Sequence, residues 1–228
     1  EPMRDWAPVE LEVLRTAAWV IGAAVLQEAT AEGLRRRHAA LAAVSQAAAR
    51  LLSAGEPWQK QIAGILESLG RSVDASRVYV FERSPAVEED WLVSQRFEWC
   101  APGTTPQIGN QEMQYLSLAT CGLERWLAPL SANQPVWACV KDLGPQARAM
   151  LAGQDIRSLL VVPVFVGSEA WGFFGFDDCR NEREWTSGEI DALSAAAAML
   201  AGAIRRERVD AAMRRRDAIL EAVGVAAE

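Results

Sequence analysis

The apolar positions follow two rhythms in the middle of the chain. RVYVFER (77–83) alternates apolar with polar residues and is rich in strand formers, which predicts a strand. SPAVEED follows as a turn, and WLVSQRFEWC (91–100) reads as a second strand. PVWACV (135–140) reads as a short third. SLLVVPVFV (158–166), Gly167 and AWGFFGFDD (170–178) predict two strands joined by a tight turn, with Pro163 calling for an edge position or a bulge. Helical spacing appears at Ile62, Leu66 and Leu69 of PWQKQIAGILESLGRSV (57–73), with Pro57 suited to a first turn. LATCGLERWLAPLSANQ (118–134) predicts a short helix ending near Pro129, and GPQARAMLAGQDI (144–156) another. APGTTPQIGN (101–110), punctuated by Pro and Gly, is a loop. The body is therefore α/β, with antiparallel pairing at least at the hairpin.

The two ends of the chain share a third rhythm. Residues 4–44 align without gaps on 183–223, and about fifteen positions are identical. Matches beyond alanine include Trp6/Trp185, Glu10/Glu189, Leu14/Leu193, Glu28/Glu207 and Arg35–Arg37/Arg214–Arg216. Leu11, Leu14, Ala18, Ile21 and Val25 step by three and four, as do Ile190, Leu193, Ala197, Leu200 and Ile204. That spacing is a heptad seam, and both copies shift phase before it resumes at Leu34 and Leu41, or at Met213 and Leu220. Two readings fit the first part of each copy: a seam for a partner helix, or the face an amphipathic helix turns to its own domain. The charged second parts, EGLRRRHAAL and DAAMRRRDAIL, favour a helix partner, since a lone helix that polar is rarely stable. The repeat predicts that residues 1–50 are the closing helix of a preceding module plus a connecting helix. One globular domain then spans 51–207, and 208–228 begin the next connecting helix. On this reading the chain, which lacks an initiator Met, is a piece of a tandem array.

Composition narrows the function classes. Half of the 228 residues are apolar, enough for a real core, and the formal charge of −7 argues against a nucleic-acid-binding surface. The apolar runs AAWVIGAAVL and AAAAMLAGAI are about half a bilayer span and flanked by charge, and no signal peptide is present. The expectation is a cytoplasmic protein without direct membrane contact. Cys100, Cys121, Cys139 and Cys179 lie far apart with no CxxC or zinc-type grouping, so free buried thiols are expected and no metal site.

IRSLLVVPVFVGSEAWGFFGFDD, followed by EWTSGEIDALSAAAAMLAGAI, resembles the C-terminal half of a GAF domain. In that family a strand of the type SxLxVPV, a turn and a strand of the type WGxxxxxD precede a helix opened by W/F-[ST]-x-x-E. Here those elements are Ser158 to Val166, Trp171 to Asp178 and Trp185 to Ile204, and the resemblance covers about 45–207. It implies an antiparallel six-stranded sheet flanked by helices, with long coiled-coil-type helices at both termini. It further implies a small-molecule pocket on one face and dimerising helices on the other. Tandem GAF modules of this kind belong to bacterial sensors ending in a histidine kinase or a diguanylate cyclase. The departures also count. The single histidine, His38, lies in the leading helix, which disfavours histidine-ligated haem, and there is no Cys-His pair of the bilin-binding type. The NKFDE signature of cyclic-nucleotide-binding members is missing, and the cysteines do not match the methionine-sulfoxide reductases on this fold. No cofactor is therefore assigned.

The candidate ligand-binding residues are Trp99, Tyr115, Cys121, Trp126, Trp137 and Arg157. By the resemblance, the three tryptophans border the pocket, where aromatic rings suit an aromatic or cationic ligand. Filling a core or capping the sheet is the more ordinary role for such rings. Cys121 opens a helix, where a thiol pKa can fall, and Arg157 can hold an anion. No catalytic constellation assembles, so the fragment is read as non-catalytic. Three functions stay open: a sensory module of a two-component-type protein that binds a small molecule or relays a signal through dimeric terminal helices, a ligand-free dimerisation spacer, and a cysteine-based redox or metal sensor.

Overall fold

Alternation along β1 (Arg77–Arg83) sets the layers: Val78 and Val80 enter one core, Tyr79 and Phe81 the other. The same division runs along the strand beside it, β6 (Glu169–Asp178), and the next, β5 (Ser158–Val166). Phe174, Phe176, Leu160 and Val162 face one side, and Phe173, Leu159 and Val161 the other. The computed structural model describes residues 7–52, 56–84 and 91–225, and within these not the side chains of 29, 30, 32, 52 and 223–225. Trp6 of the repeat, and the SPAVEED turn beyond Ser84, lie outside them.

β2 (Leu92–Cys100), β3 (Leu116–Ser117) and β4 (Val136–Cys139) complete a six-stranded, wholly antiparallel sheet in the order β3-β2-β1-β6-β5-β4. One face carries three long helices, α1 (Pro8–Leu52), α2 (Trp58–Ser72) and α5 (Ser187–Val225). The other carries short ones, including α3 (Leu127–Ser131) and α4 (Pro145–Ala152). β3 is only two residues long and leaves no periodic signal in the sequence. Pro163 is not on an edge strand, yet β4 pairs β5 only from Ser158 to Val161, so the proline lies past that ladder. The bulge sits one step further on, between Val164 and Phe165.

The helix expected over 118–134 is broken into three. A π-type turn over Ala119–Leu123 holds Gly122 at φ 86°, a 3-10 turn follows over Glu124–Trp126, and α3 comes last. Only glycine takes that φ without strain. Pro129 does not end α3 but sits in its first turn, where a missing N–H costs nothing.

α1 and α5 run parallel along the body. Arg37 lies against Gly188 at one end, and the Arg206 guanidinium donates to the Leu51 carbonyl at the other. α1 therefore projects from one end of the body and α5 from the opposite end. The two seams meet different fates. Leu193, Ala197, Leu200 and Ile204 are buried against the sheet, so this copy is an amphipathic face packed on its own domain. Leu11, Leu14, Ile21 and Val25 stand in solvent. The stretch 187–222 of α5 is long and apolar enough to cross a membrane, but half of its apolar window is buried in the body.

Candidate ligand site

Opposite the long helices, the sheet and the short helices enclose an apolar cavity of about 50 Å³. Tyr79, Phe81 and Phe173 floor it, with Phe81 and Phe173 stacked at 5.1 Å. Trp126, Leu123 and Met150 bring the short-helix side to it. One end of the cavity is polar, and the backbone explains how. β1 and β2 pair Val80 with Phe97 but Phe81 with Gln95, which leaves Arg96 as a bulged residue. A bulge reverses the alternation beyond it, so Gln95 and Glu98, three residues apart, reach the same face. Gln95 Nε2 donates to Glu98 Oε1 at 3.0 Å, and Glu98 also accepts the backbone N–H groups of Gln107 and Ile108. The carboxylate thereby ties down the loop that begins at Ala101.

Arg77 is 1 % exposed and lies among buried acids. Its Nη1 is 3.8 Å from Asp177 Oδ2 and its Nε 3.8 Å from Glu98 Oε1, both beyond hydrogen-bond length. Its firmer bonds run to Gln154, with Nη2 donating to the backbone carbonyl at 3.1 Å. Tyr79 lies flat on β6 because Gly175 faces it, and its hydroxyl donates to Asp177 Oδ1 at 2.9 Å. Burial pushes the Asp177 carboxyl up to about 7, with Glu98 adding to the rise and Arg77 and Tyr79 opposing it. Burial, then Asp177, likewise raises the Tyr79 phenol far above its ordinary value. Gln95 Oε1, Arg77 Nε and Asp177 Oδ2 are buried without hydrogen-bond partners. Gln95 and Arg77 line the cavity. Arg77, Gln154 and Ile156 also line a wider cleft of about 510 Å³ on the outer side, so the Arg77–Gln154 contact separates the two spaces.

The structure scatters the six candidates from the sequence. Trp126 lines the cavity. Arg157 is exposed and lines the adjoining cleft. Cys121 is buried in the same apolar cluster, its thiol donating to the Leu118 carbonyl. Trp99 lies on the other face of the sheet, its ring against Gly70 of α2. Trp137 is 40 % exposed on β4, its neighbours Val136 and Ala138 taking the cavity side instead. Tyr115, at φ 54° just before β3, is 71 % exposed. The residues that sequence reasoning missed are Arg77, Gln95, Glu98 and Asp177; a charged residue opening a strand was the only available signal. Burial raises the thiols of Cys100 (to about 11), Cys139 and Cys179, the reverse of what a reactive thiolate needs. Among the described residues no three metal-ligating side chains gather.

Known proteins resemble this chain in sequence and in fold. The GAF domain family model matches residues 57–204. The methanogenesis regulatory histidine kinase FilI of Methanothrix harundinacea is 39 % identical over 186 residues, which cover 82 % of this chain. The match spans only 20 % of that kinase's length. The phycocyanobilin-bound GAF domain of a cyanobacterial phytochrome superposes with TM-score 0.61 at 16 % identity, covering 74 % of this chain and 95 % of its own. The photoproduct state of GAF3 from Slr1393 of Synechocystis sp. PCC6803 gives 0.58 at 22 % identity, over 68 % and 98 %. At these identities the solved structures share the fold alone.

Proposed function

Because this chain belongs to the GAF domain family, we propose that it is a sensory module that binds a small molecule in the cavity under Trp126 and relays binding to its long helices. The observation that carries this reading is an apolar cavity whose lining includes two buried polar side chains, Gln95 and Arg77, each with an atom, Oε1 and Nε, that has no hydrogen-bond partner. A buried polar atom without a partner costs about 1–3 kcal/mol, which a ligand that bonds it would recover. The ligand that fits is compact and largely apolar, with one edge that both donates and accepts. Solved relatives are described as holding biliverdin or phycocyanobilin. A cavity of about 50 Å³ is too small for a tetrapyrrole, and the lone histidine, His38, is exposed on α1.

The route to the helices is short. Asp177 contacts the cavity-lining Tyr79 and Arg77, while the adjacent Asp178 faces Arg183 at 3.9 Å. Arg183 in turn bonds Glu189 in the first turn of α5 at 2.7 Å. Elsewhere a single layer of strand separates Tyr79, Phe81 and Phe173 from the residues that α1 and α5 pack upon. A ligand that prefers one packing of these helices shifts their population by its difference in affinity, and by no more. We place the module in a histidine-kinase-type signalling protein on the reducing side of the membrane. The likeness to FilI and the free thiols support that placement. In it, two copies pair in parallel through the projecting helices, where Leu34, Val209, Met213 and Leu220 are exposed. Sedimentation showing only monomer at micromolar concentration would sink the pairing.

A thermal-shift screen of small neutral amides, lactams and heterocycles, read also by tryptophan fluorescence, tests the ligand reading. The expected result is a saturable rise in Tm that Gln95→Leu removes and that Leu159→Trp, which fills the cavity, also removes. If no compound stabilises the chain, or if both variants respond like the parent, the site reading fails and a ligand-free spacer takes its place.

A further inference from the structure

The first third of α1 is apolar over most of its circumference, yet nothing described covers it. Val9, Leu14, Trp19, Ile21, Val25 and Leu26 are between 48 % and 74 % exposed. An ordinary solvated helix keeps one polar face, and a helix this apolar is a buried one. The matching stretch of α5 shows what buries it. Glu10, Leu14, Ala17, Ala18, Ile21 and Val25 align with Glu189, Leu193, Ala196, Ala197, Leu200 and Ile204. Every one of the latter six is at most 4 % exposed, packed on the sheet. A two-helix seam covers only a narrow stripe, whereas these six span the broad face that a sheet demands.

The two stretches also begin alike. The Ala7 N–H donates to Glu10 Oε2 at 2.8 Å, and the Thr186 N–H donates to Glu189 Oε2 at 3.0 Å. An acidic side chain that turns back to its helix start is present in both places. The sheet of this chain cannot be the missing cover, in the same molecule or in a second copy, because α5 and α2 already occupy that face and the short helices the other.

We propose that residues 8–25 of α1 are the closing helix of a second GAF-type body, distinct from the one at 57–204. On this assignment the face from Glu10 to Val25 lies on that body's sheet as Glu189 to Ile204 lie on this one. The partner surface has the chemistry of Val78, Val80, Leu160, Phe174 and Phe176: a flat apolar sheet face.

Cysteine footprinting on the whole natural polypeptide tests this. Leu14→Cys and Ile21→Cys are placed on the inner face, and Glu12→Cys and Thr16→Cys on the outer. Maleimide labelling is then read peptide by peptide by mass spectrometry. The expected result is labelling of the inner pair at least about tenfold slower than of the outer pair, with protection lost in denaturant. The same four variants in the 228-residue chain are expected to label at similar rates. The assignment is overturned if the inner pair labels as fast as the outer in the whole polypeptide. It is equally overturned if Leu14→Cys or Ile21→Cys forms symmetric disulfides between copies, which makes the face a dimer seam. Protection that appears only when lipid vesicles are present, marking a membrane-bound face, overturns it too.

Discussion

Gly175 lies directly across the ladder from Tyr79, and a Cβ there would run into the Tyr79 ring. Gly175→Ala therefore drives the ring off β6 and breaks its bond to Asp177, an overpacking expected to cost about 1–3 kcal/mol by urea denaturation. Asp177 supplies a pH signature. Its folded pKa of about 7 stands above the unfolded carboxyl, so the folded state binds the extra proton between them. Its contribution is fully present below the unfolded pKa, near 3.9, and is lost as pH rises through about 7. Stability should fall across that window with a slope of at most about 1.4 kcal/mol per pH unit. Asp177→Asn should flatten the fall. A variant whose denaturation midpoint tracks the parent from pH 5 to pH 8 would remove Asp177 as the cause. The charged residues at this site were hard to find in the sequence because each looks like an ordinary strand residue. Tryptophans drew attention instead, and Trp99 and Trp137 proved to stand on the far face from the cavity.

Elements were legible where their rhythm was long. β1, β2, β5, β6 and α2 fall where periodicity places them, within a residue or two. What failed was short or irregular: a two-residue β3, the π and 3-10 turns ahead of α3, and the bulge at Arg96. None carries a repeating pattern, and the bulge decides which side chains of β2 face the cavity. The two helix starts offer a matched comparison. Glu189 is fully buried and accepts from Thr186 and Arg183, whereas Glu10 makes its cap from a half-buried position. Glu189→Ala strands the Arg183 guanidinium beside it and should cost about 3–5 kcal/mol. Glu10→Ala should cost about 1 kcal/mol or less. Equal losses in thermal or chemical melts would mean that burial of the pair contributes nothing.

Over the whole molecule, α1 and α5 lengthen the outline far beyond the body. Counting 1.5 Å per helical residue, the free part of α1, the shared stretch and the free part of α5 add to about 100 Å. Small-angle scattering from a monomeric sample should return a maximum dimension of that order. Removing residues 8–33 should shorten it by about 40 Å. A dimension unchanged by the truncation would mean that α1 folds back on the body. The repeat made both ends of the chain readable, but it could not say that one copy is buried and the other exposed, because the sheet that decides this lies far away in sequence. Parallel α1 and α5 have a geometric consequence. A chain that enters and leaves a body in the same direction never has to turn back, so joining such bodies end to end repeats one fixed rotation and one fixed rise. That is a screw operation, which generates an open filament instead of a closed ring. Its pitch is set by the angular offset between α1 and α5, and a change of a few degrees in that offset accumulates with every body the chain passes through.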